Sequence, residues 1–270
     1  MFIAGVDLAA EPKGSAISVL DWQADRVTLT DLQLGVTDNV IVDIARNVVK
    51  LGIDCALGWP IEFARFISAQ ADQAQADLVH GSQVRPSGQS NEPFSGDLEF
   101  RRRLAYRETD RQIRLHTGRW PLSVSTDRLA MTAIRAAGLL SQLASVGIDA
   151  VRSGTGLVVE VYPAASLRQW GFEFSGYRAS TEIRGQLLNQ LEVKAPWLDV
   201  AAHRDALIES CDAFDSLVAA LATRAAHLGR YFEPSREQIG LARLEGWIAL
   251  PNSPLETLVE PHAGQSETVV

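Results

Sequence analysis

The chain has 270 residues, 46% hydrophobic and 21% charged, which is ordinary for a soluble globular protein. Its net charge of -8 and pI near 5.2 argue against a nonspecific nucleic-acid binder with a basic surface throughout. Cys55 and Cys211 have neither CxxC spacing nor a histidine beside them, so they read as reduced thiols and not as a zinc site. No stretch approaches the roughly 20 apolar residues of a membrane helix. The first residues open on a strand pattern without a cleavable leader, and a cytoplasmic location is expected.

Residues 2–9, 15–22 and 26–34 read as three strands, with Glu11-Pro12-Lys13-Gly14 as a turn between the first two. Asp38 is placed to cap a helix over 39–51, where Ile41, Ile44, Ala45 and Val48 follow helical spacing. Gly52 stops that helix, and 53–58 reads as a buried strand. From Trp59 to about Ser125 the pattern changes. A helix at 61–79 precedes the polar segment SQVRPSGQSNEPFSGD, read as a loop or lid, and then an arginine-dense stretch. Thr126 is expected to cap an amphipathic helix over 126–146. A strand at 156–162 ends at Pro163, and helices follow at about 165–170, 181–193, 203–210 and 212–228. A last strand, 246–250, precedes the tail. The organisation expected is one domain over 1–251, with an insertion at about 61–125 and a loosely ordered tail at 252–270.

Acidic residues sit where a carboxylate brings the local structure no benefit. Asp7 interrupts MFIAGVDLA, Asp54 interrupts GIDCALGWP and Glu160 interrupts GLVVEVYP, while Asp212 and Asp215 open a helix. An ionised carboxylate in a buried strand costs several kcal/mol without compensation, so these sites suggest convergence on a shared cation. Strand alternation puts Asp7 on the face of Ile3 and Gly5, and Asp54 on the face of Gly52 and Ala56. Asp212 and Asp215, three apart, share a helix face near the positive end of its dipole.

Three antiparallel strands, a helix and a further acid-bearing strand is the element order of the ribonuclease H-like fold. The expected fold class is therefore α/β, a mixed sheet flanked by helices, with a helical and loop insertion after the fourth strand. In that arrangement the first and fourth strands lie side by side, about 4.8 Å apart, so that one acid on each can share an ion. Plainer readings stand beside this one. Asp7 and Asp54 either bind metal or merely cap turns or pair with a buried arginine; Glu160 either assists or holds Arg168 or another arginine; one of Asp212 and Asp215 is a candidate helix cap. Arg101 to Arg103 read as a solvated helix face. Trp59 and Trp120, each followed by proline, either stack a base or pack under the insertion.

Six segments in this order, GVDLA, GIDCALGWP, RETDRQIR, VVEVYPAASLRQWG, CDAFDSLVAALATRA and ARLEGWIALP, resemble the DUF429 family over about residues 3 to 251. That family is described as predicted nucleases of ribonuclease H-like fold. The resemblance implies a metal-dependent nuclease or phosphodiesterase whose matched acids are Asp7, Asp54, Glu160, Asp212 and Asp215. Asp7, Asp54 and Asp215 would be the metal ligands, with Glu160 and Asp212 assisting. Carboxylates suit Mg2+ or Mn2+, and a pair of such ions supports phosphodiester hydrolysis. Arg107, Asp110 and Arg111 of the RETDR segment either position a nucleic acid or other phosphodiester, or form a salt-bridge network that holds the insertion to the core. Where the family often reads IDAPLG, this chain has Ala56. The helix with two acids three apart is also similar to the Holliday-junction resolvase branch of the fold. Two other functions stay open: a nucleotide-binding phosphotransferase of the actin-like kinase type, and a non-catalytic binding protein on the same fold. The first normally shows a duplicated core and glycine-rich phosphate turns, neither of which is found here.

Overall fold

The computed structural model describes residues 1–80 and 96–259. Most of the expected lid, and the tail from 260 onwards, lie outside the described residues. β1 (Phe2–Asp7), β2 (Ala16–Trp22) and β3 (Val27–Leu34) form an antiparallel meander, as their alternating apolar residues predict. α1 (Asp38–Ala45) leads into β4 (Lys50–Asp54), which runs parallel to β1. The helix is shorter than its periodicity suggests because the sheet claims the residues after it: Val49 N–H already donates to the Phe2 carbonyl, and Leu51 N–H to Leu157.

Three helices follow, α2 (Ile61–His80), α3 (Leu98–Ala105) and α4 (Glu108–Thr117), and then α5 (Ala130–Ser145). β5 (Val158–Glu160), α6 (Pro163–Gln169), α7 (Thr181–Lys194) and β6 (Leu198–Asp199) come next, followed by α8 (Arg204–Glu209), α9 (Cys211–His227) and α10 (Ile239–Glu245). The six strands make one mixed sheet in the order β5-β4-β1-β2-β3-β6. β5 lies parallel to β4 and β6 parallel to β3.

Several expected elements differ. Thr126 does not cap α5, because its N–H and that of Ser125 are taken by Ser123 Oγ in a preceding turn, and the helix starts at Ala130. Residues 246–250 form no strand and only bridge, Ile248 to Glu160, with Pro251 bridging to Tyr231. Residues 252–259 are packed, not loose: the short 3-10 turn Leu255–Leu258 buries both leucines, and Arg224 Nε donates to the Leu258 carbonyl at 3.1 Å.

Helices cover both faces of the sheet. Ala4, Val6, Ile17, Leu51 and Ile53 pack against Ile41 of α1 and Leu139 and Leu143 of α5. The opposite face, with Ile3, Leu20 and Leu29, packs against Leu187 and Leu191 of α7 and Phe214, Leu217 and Leu221 of α9. α9 is buried along most of its length, as a helix of small and apolar residues must be. Its close seat depends on two glycines that are register partners, Gly5 of β1 and Gly52 of β4. A Cβ on Gly5 would fall on the backbone of Ala220 and Ser216; one on Gly52 would fall on the Thr223 side chain. A buried hydrogen bond of 2.7 Å between the Ser18 and Ser216 hydroxyls ties the same helix to β2.

Candidate active site

Asp7, Asp54 and Glu160 are the last residues of β1, β4 and β5, three neighbouring parallel strands. They therefore stand at the carboxyl edge of the sheet, where open α/β sheets bind ligands. Asp7 and Asp54 are register partners, so their side chains leave the same face about 4.8 Å apart. That is the α9 face. Because α9 rests on Gly5 and Gly52, its first turns bring Asp212 and Asp215 over the same strand ends. The helix is capped by Ser210, whose hydroxyl accepts from Ala213 N–H at 3.1 Å, so neither aspartate serves as the cap.

A cleft of about 240 Å³ opens here, lined by Asp7, Asp54, Tyr162 and Arg178 on one side and by Pro121 and Leu122 of the insertion on another. A larger and more open hollow of about 490 Å³ lies between α1 and the sheet, with Asp31 and Asp43 on its wall but no basic side chain among its lining residues. The chemistry converges on the smaller cleft.

Burial pushes the Asp7 carboxyl up to about 9, and the charges of Asp54, Asp215 and Asp212 push the same way; among the described residues only Arg178 opposes them. Asp54 rises to about 8, first from burial and then from Asp215, again opposed by Arg178. Asp212 is raised by burial against Arg178 and Arg184. The shared cause is burial, to which neighbouring acids add at Asp7 and Asp54. The two thiols nearby add no nucleophile: burial raises both, Cys211 to about 12 and Cys55 well above its usual value.

Asp215 is the best-held acid of the group on α9. It is buried and accepts from Tyr177 Oη at 2.6 Å and pairs with Arg178 Nη2 at 2.9 Å. Burial still raises it, opposed first by Arg178 and then by the Tyr177 hydrogen bond. Arg178 Nε also donates to Tyr177 Oη at 3.2 Å, yet its side chain is 57% exposed, so the guanidinium spans from the buried acid to the open cleft. Sequence reasoning missed both residues. They lie in the irregular stretch FSGYRAS, and an aromatic next to an arginine carries no spacing signal.

Glu160 belongs to a different arrangement. Both its oxygens accept from Arg107, at 2.8 Å each, and Oε2 also accepts Leu57 N–H at 3.0 Å. Arg107 in turn grips Asp110, Nη2 to Oδ1 at 2.9 Å and Nε to Oδ2 at 3.1 Å, while Asp110 also accepts the Arg107 N–H as the capping box of α4. Burial raises the Glu160 carboxyl, but Arg107 and the Leu57 N–H oppose it. Glu245, unnoticed in the sequence, completes the clasp: its carboxylate accepts Ile61 N–H and Glu108 N–H at 2.8 Å each, at the starts of α2 and α4. Gly246 is required beside it, with φ of 91° and a Cβ position 2.9 Å from Glu160 Oε2. The RETDR arginine and aspartate thus pair with one another and with β5. Arg111 turns away to Glu108 at 3.7 Å and is not among the cleft residues.

The donor set suits a hard divalent cation. Asp7 and Asp54 offer in-register carboxylate oxygens, and Mg2+ is commonly held by one or two carboxylates with water and substrate oxygens completing the shell. Among the described residues no three His, Cys, Asp or Glu side chains come together closely enough to enclose an ion. An ion here would therefore rest on the Asp7–Asp54 pair, with Asp215 behind it in the grip of Tyr177 and Arg178. Among the described residues no helix is long and apolar enough to cross a membrane.

No curated protein and no solved structure matches the chain. A family described as a protein of unknown function, DUF429, matches residues 5–238. That match spans most of the sequence, and the chain belongs to the DUF429 family.

Proposed function

We propose that the cleft is the active site of a metal-dependent phosphodiesterase acting on nucleic acid, built on a ribonuclease H-like sheet. One observation carries the reading: Asp7 and Asp54 stand in register at the ends of adjacent parallel strands, where burial and neighbouring acids raise both carboxyls and so disfavour their ionisation without a cation. The strand order, with β1 beside β4 and the acid-bearing α9 across both, supports the ribonuclease H-like assignment. When bound, Mg2+ or Mn2+ supplies an activated water and stabilises the charge that develops on the leaving oxygen.

The chain's own groups account for the rest. Asp7 and Asp54 hold the cation. Tyr177 fixes Asp215, and Asp215 fixes Arg178, whose exposed end is placed to take a phosphate oxygen. Pro121, Leu122 and Leu129 form an apolar wall that limits water on the insertion side. Glu160, Arg107 and Asp110 set the position of that wall by tying α4 to β5.

A second reading, a non-catalytic module, draws on Glu160 and Asp215 being already neutralised by arginines. Incubating short DNA and RNA with Mg2+ or Mn2+ separates the two. Cleavage that is lost with chelator and with Asp7→Asn supports the phosphodiesterase. Cleavage that survives Asp7→Asn rejects it, and absence of both cleavage and ion-dependent stability supports the binding module.

A further inference from the structure

We infer that the stacked pair Tyr106–Trp120 on the rim of the acid cleft is a base-stacking subsite, and that the cleft takes single-stranded nucleic acid. The substrate class rests on the phosphodiesterase reading; the stack itself does not.

The two rings lie 4.1 Å apart with 23° between their planes. Trp120 is 37% exposed, whereas Trp22, Trp170 and Trp247 are at most 5% exposed. Trp120 therefore stacks on Tyr106 while more than a third of its surface stays in water. Neither ring lines the cleft itself, but each belongs to the chain neighbour of a lining residue: Tyr106 precedes Arg107, and Trp120 precedes Pro121 and Leu122. Neighbouring Cα atoms are about 3.8 Å apart, so the backbone that carries the stack runs beside the cleft wall.

Size and charge point the same way. At about 240 Å³ the cleft falls below the roughly 300–1,000 Å³ of pockets that enclose a whole small ligand. It has room for a phosphodiester link and adjoining sugar, but the base must lie outside, on the rim. Residues 96–122 carry seven arginines against four acids, a net of +3 in a chain whose total is -8. Arg101, Arg102, Arg103, Arg114 and Arg119 are exposed. A local basic surface with a partly exposed tryptophan, beside a site for phosphate chemistry, matches a polyanion bearing unpaired bases. A duplex keeps its bases stacked on each other and offers no face to Trp120. Stacking tolerates every base, so little sequence preference is expected.

The test is fluorescence anisotropy of labelled 12-nucleotide strands, with Ca2+ present, for the full chain and for Trp120→Ala and Trp120→Leu. The leucine variant keeps an apolar cover over Tyr106 and guards against a folding effect. Both variants are expected to bind a normal strand about tenfold more weakly. A strand of abasic sites should bind all three proteins alike. Equal affinity of wild type and Trp120→Leu for the normal strand overturns the proposal, as does an equal loss for normal and abasic strands. Cleavage that persists in Asp7→Asn would sink the cleft chemistry without touching this binding result, so the two failures are separable.

Discussion

Glu160 and Asp54 end neighbouring strands of the same sheet, and their charges are handled in opposite ways. Glu160 accepts two hydrogen bonds from Arg107 and one from the backbone of Leu57, and Arg107 is shared with Asp110. Asp54 faces Asp7 across the strand pair, with Arg178 as the one basic group among the described residues that lowers either carboxyl. A buried acid whose lone pairs are filled is a structural fastening. One whose charge is opposed only at a distance marks a place built for something that arrives later. Strand ends at one sheet edge therefore hold both a clasp and the proposed cation site, and sequence position alone does not tell them apart.

The largest effect is expected on the clasp. Arg107→Ala would strand two buried carboxylates, and breaking such a pair costs about 3–5 kcal/mol. Urea unfolding should show the midpoint falling accordingly; a change under about 1 kcal/mol would mean the network is not buried as described.

The acid pair should respond the other way. Asp7→Asn or Asp54→Asn is expected to lower cleavage on the order of 10²–10³-fold, as loss of a preorganised charge-stabilising group does. Stability in chelator should hold or rise, because the mutation removes repulsion. A destabilised Asp54→Asn would erase the distinction between the two systems.

pH sharpens the contrast. Asp7 and Asp54 have folded values above their unfolded ones, so the folded state binds more protons and stability falls as pH rises toward about 9. Between about pH 7 and 9, above the histidine range, melting in chelator should drop by about 3–6 °C. The drop should shrink in Asp7→Asn and be offset by Mg2+. A flat profile in the wild type would contradict the charge assignment.

The smallest effect belongs to Arg178. Its side chain is mostly exposed, so water screens its ion pair and Arg178→Gln should move melting by no more than about 2 °C. The contact proposed with substrate phosphate should be felt more, as a rise of about five- to tenfold in KM. A KM unchanged within error would leave Arg178 only a structural partner of Asp215.

Much of this arrangement could be read in the sequence, and the limits have physical causes. Asp7 and Asp54 stood out because a carboxylate in an apolar run conflicts with local burial. α9 was legible because small and apolar residues continue all round it. Glu160 gave the same signal as Asp54, since period and hydrophobicity cannot report an arginine 53 positions away. Tyr177, Arg178 and Glu245 act through long-range hydrogen bonds from irregular or terminal positions, and no periodicity marks them. The two-residue β6 and the shortened α1 were set by sheet pairing, a tertiary demand that overrides helical spacing.

Calorimetric titration of Mn2+ into the protein tests the central claim most directly. Saturable binding in the wild type, absent in Asp7→Asn and in Asp54→Asn but retained in Glu160→Gln, is the predicted result. Binding that survives both aspartate substitutions, or that is lost only in Glu160→Gln, would contradict it.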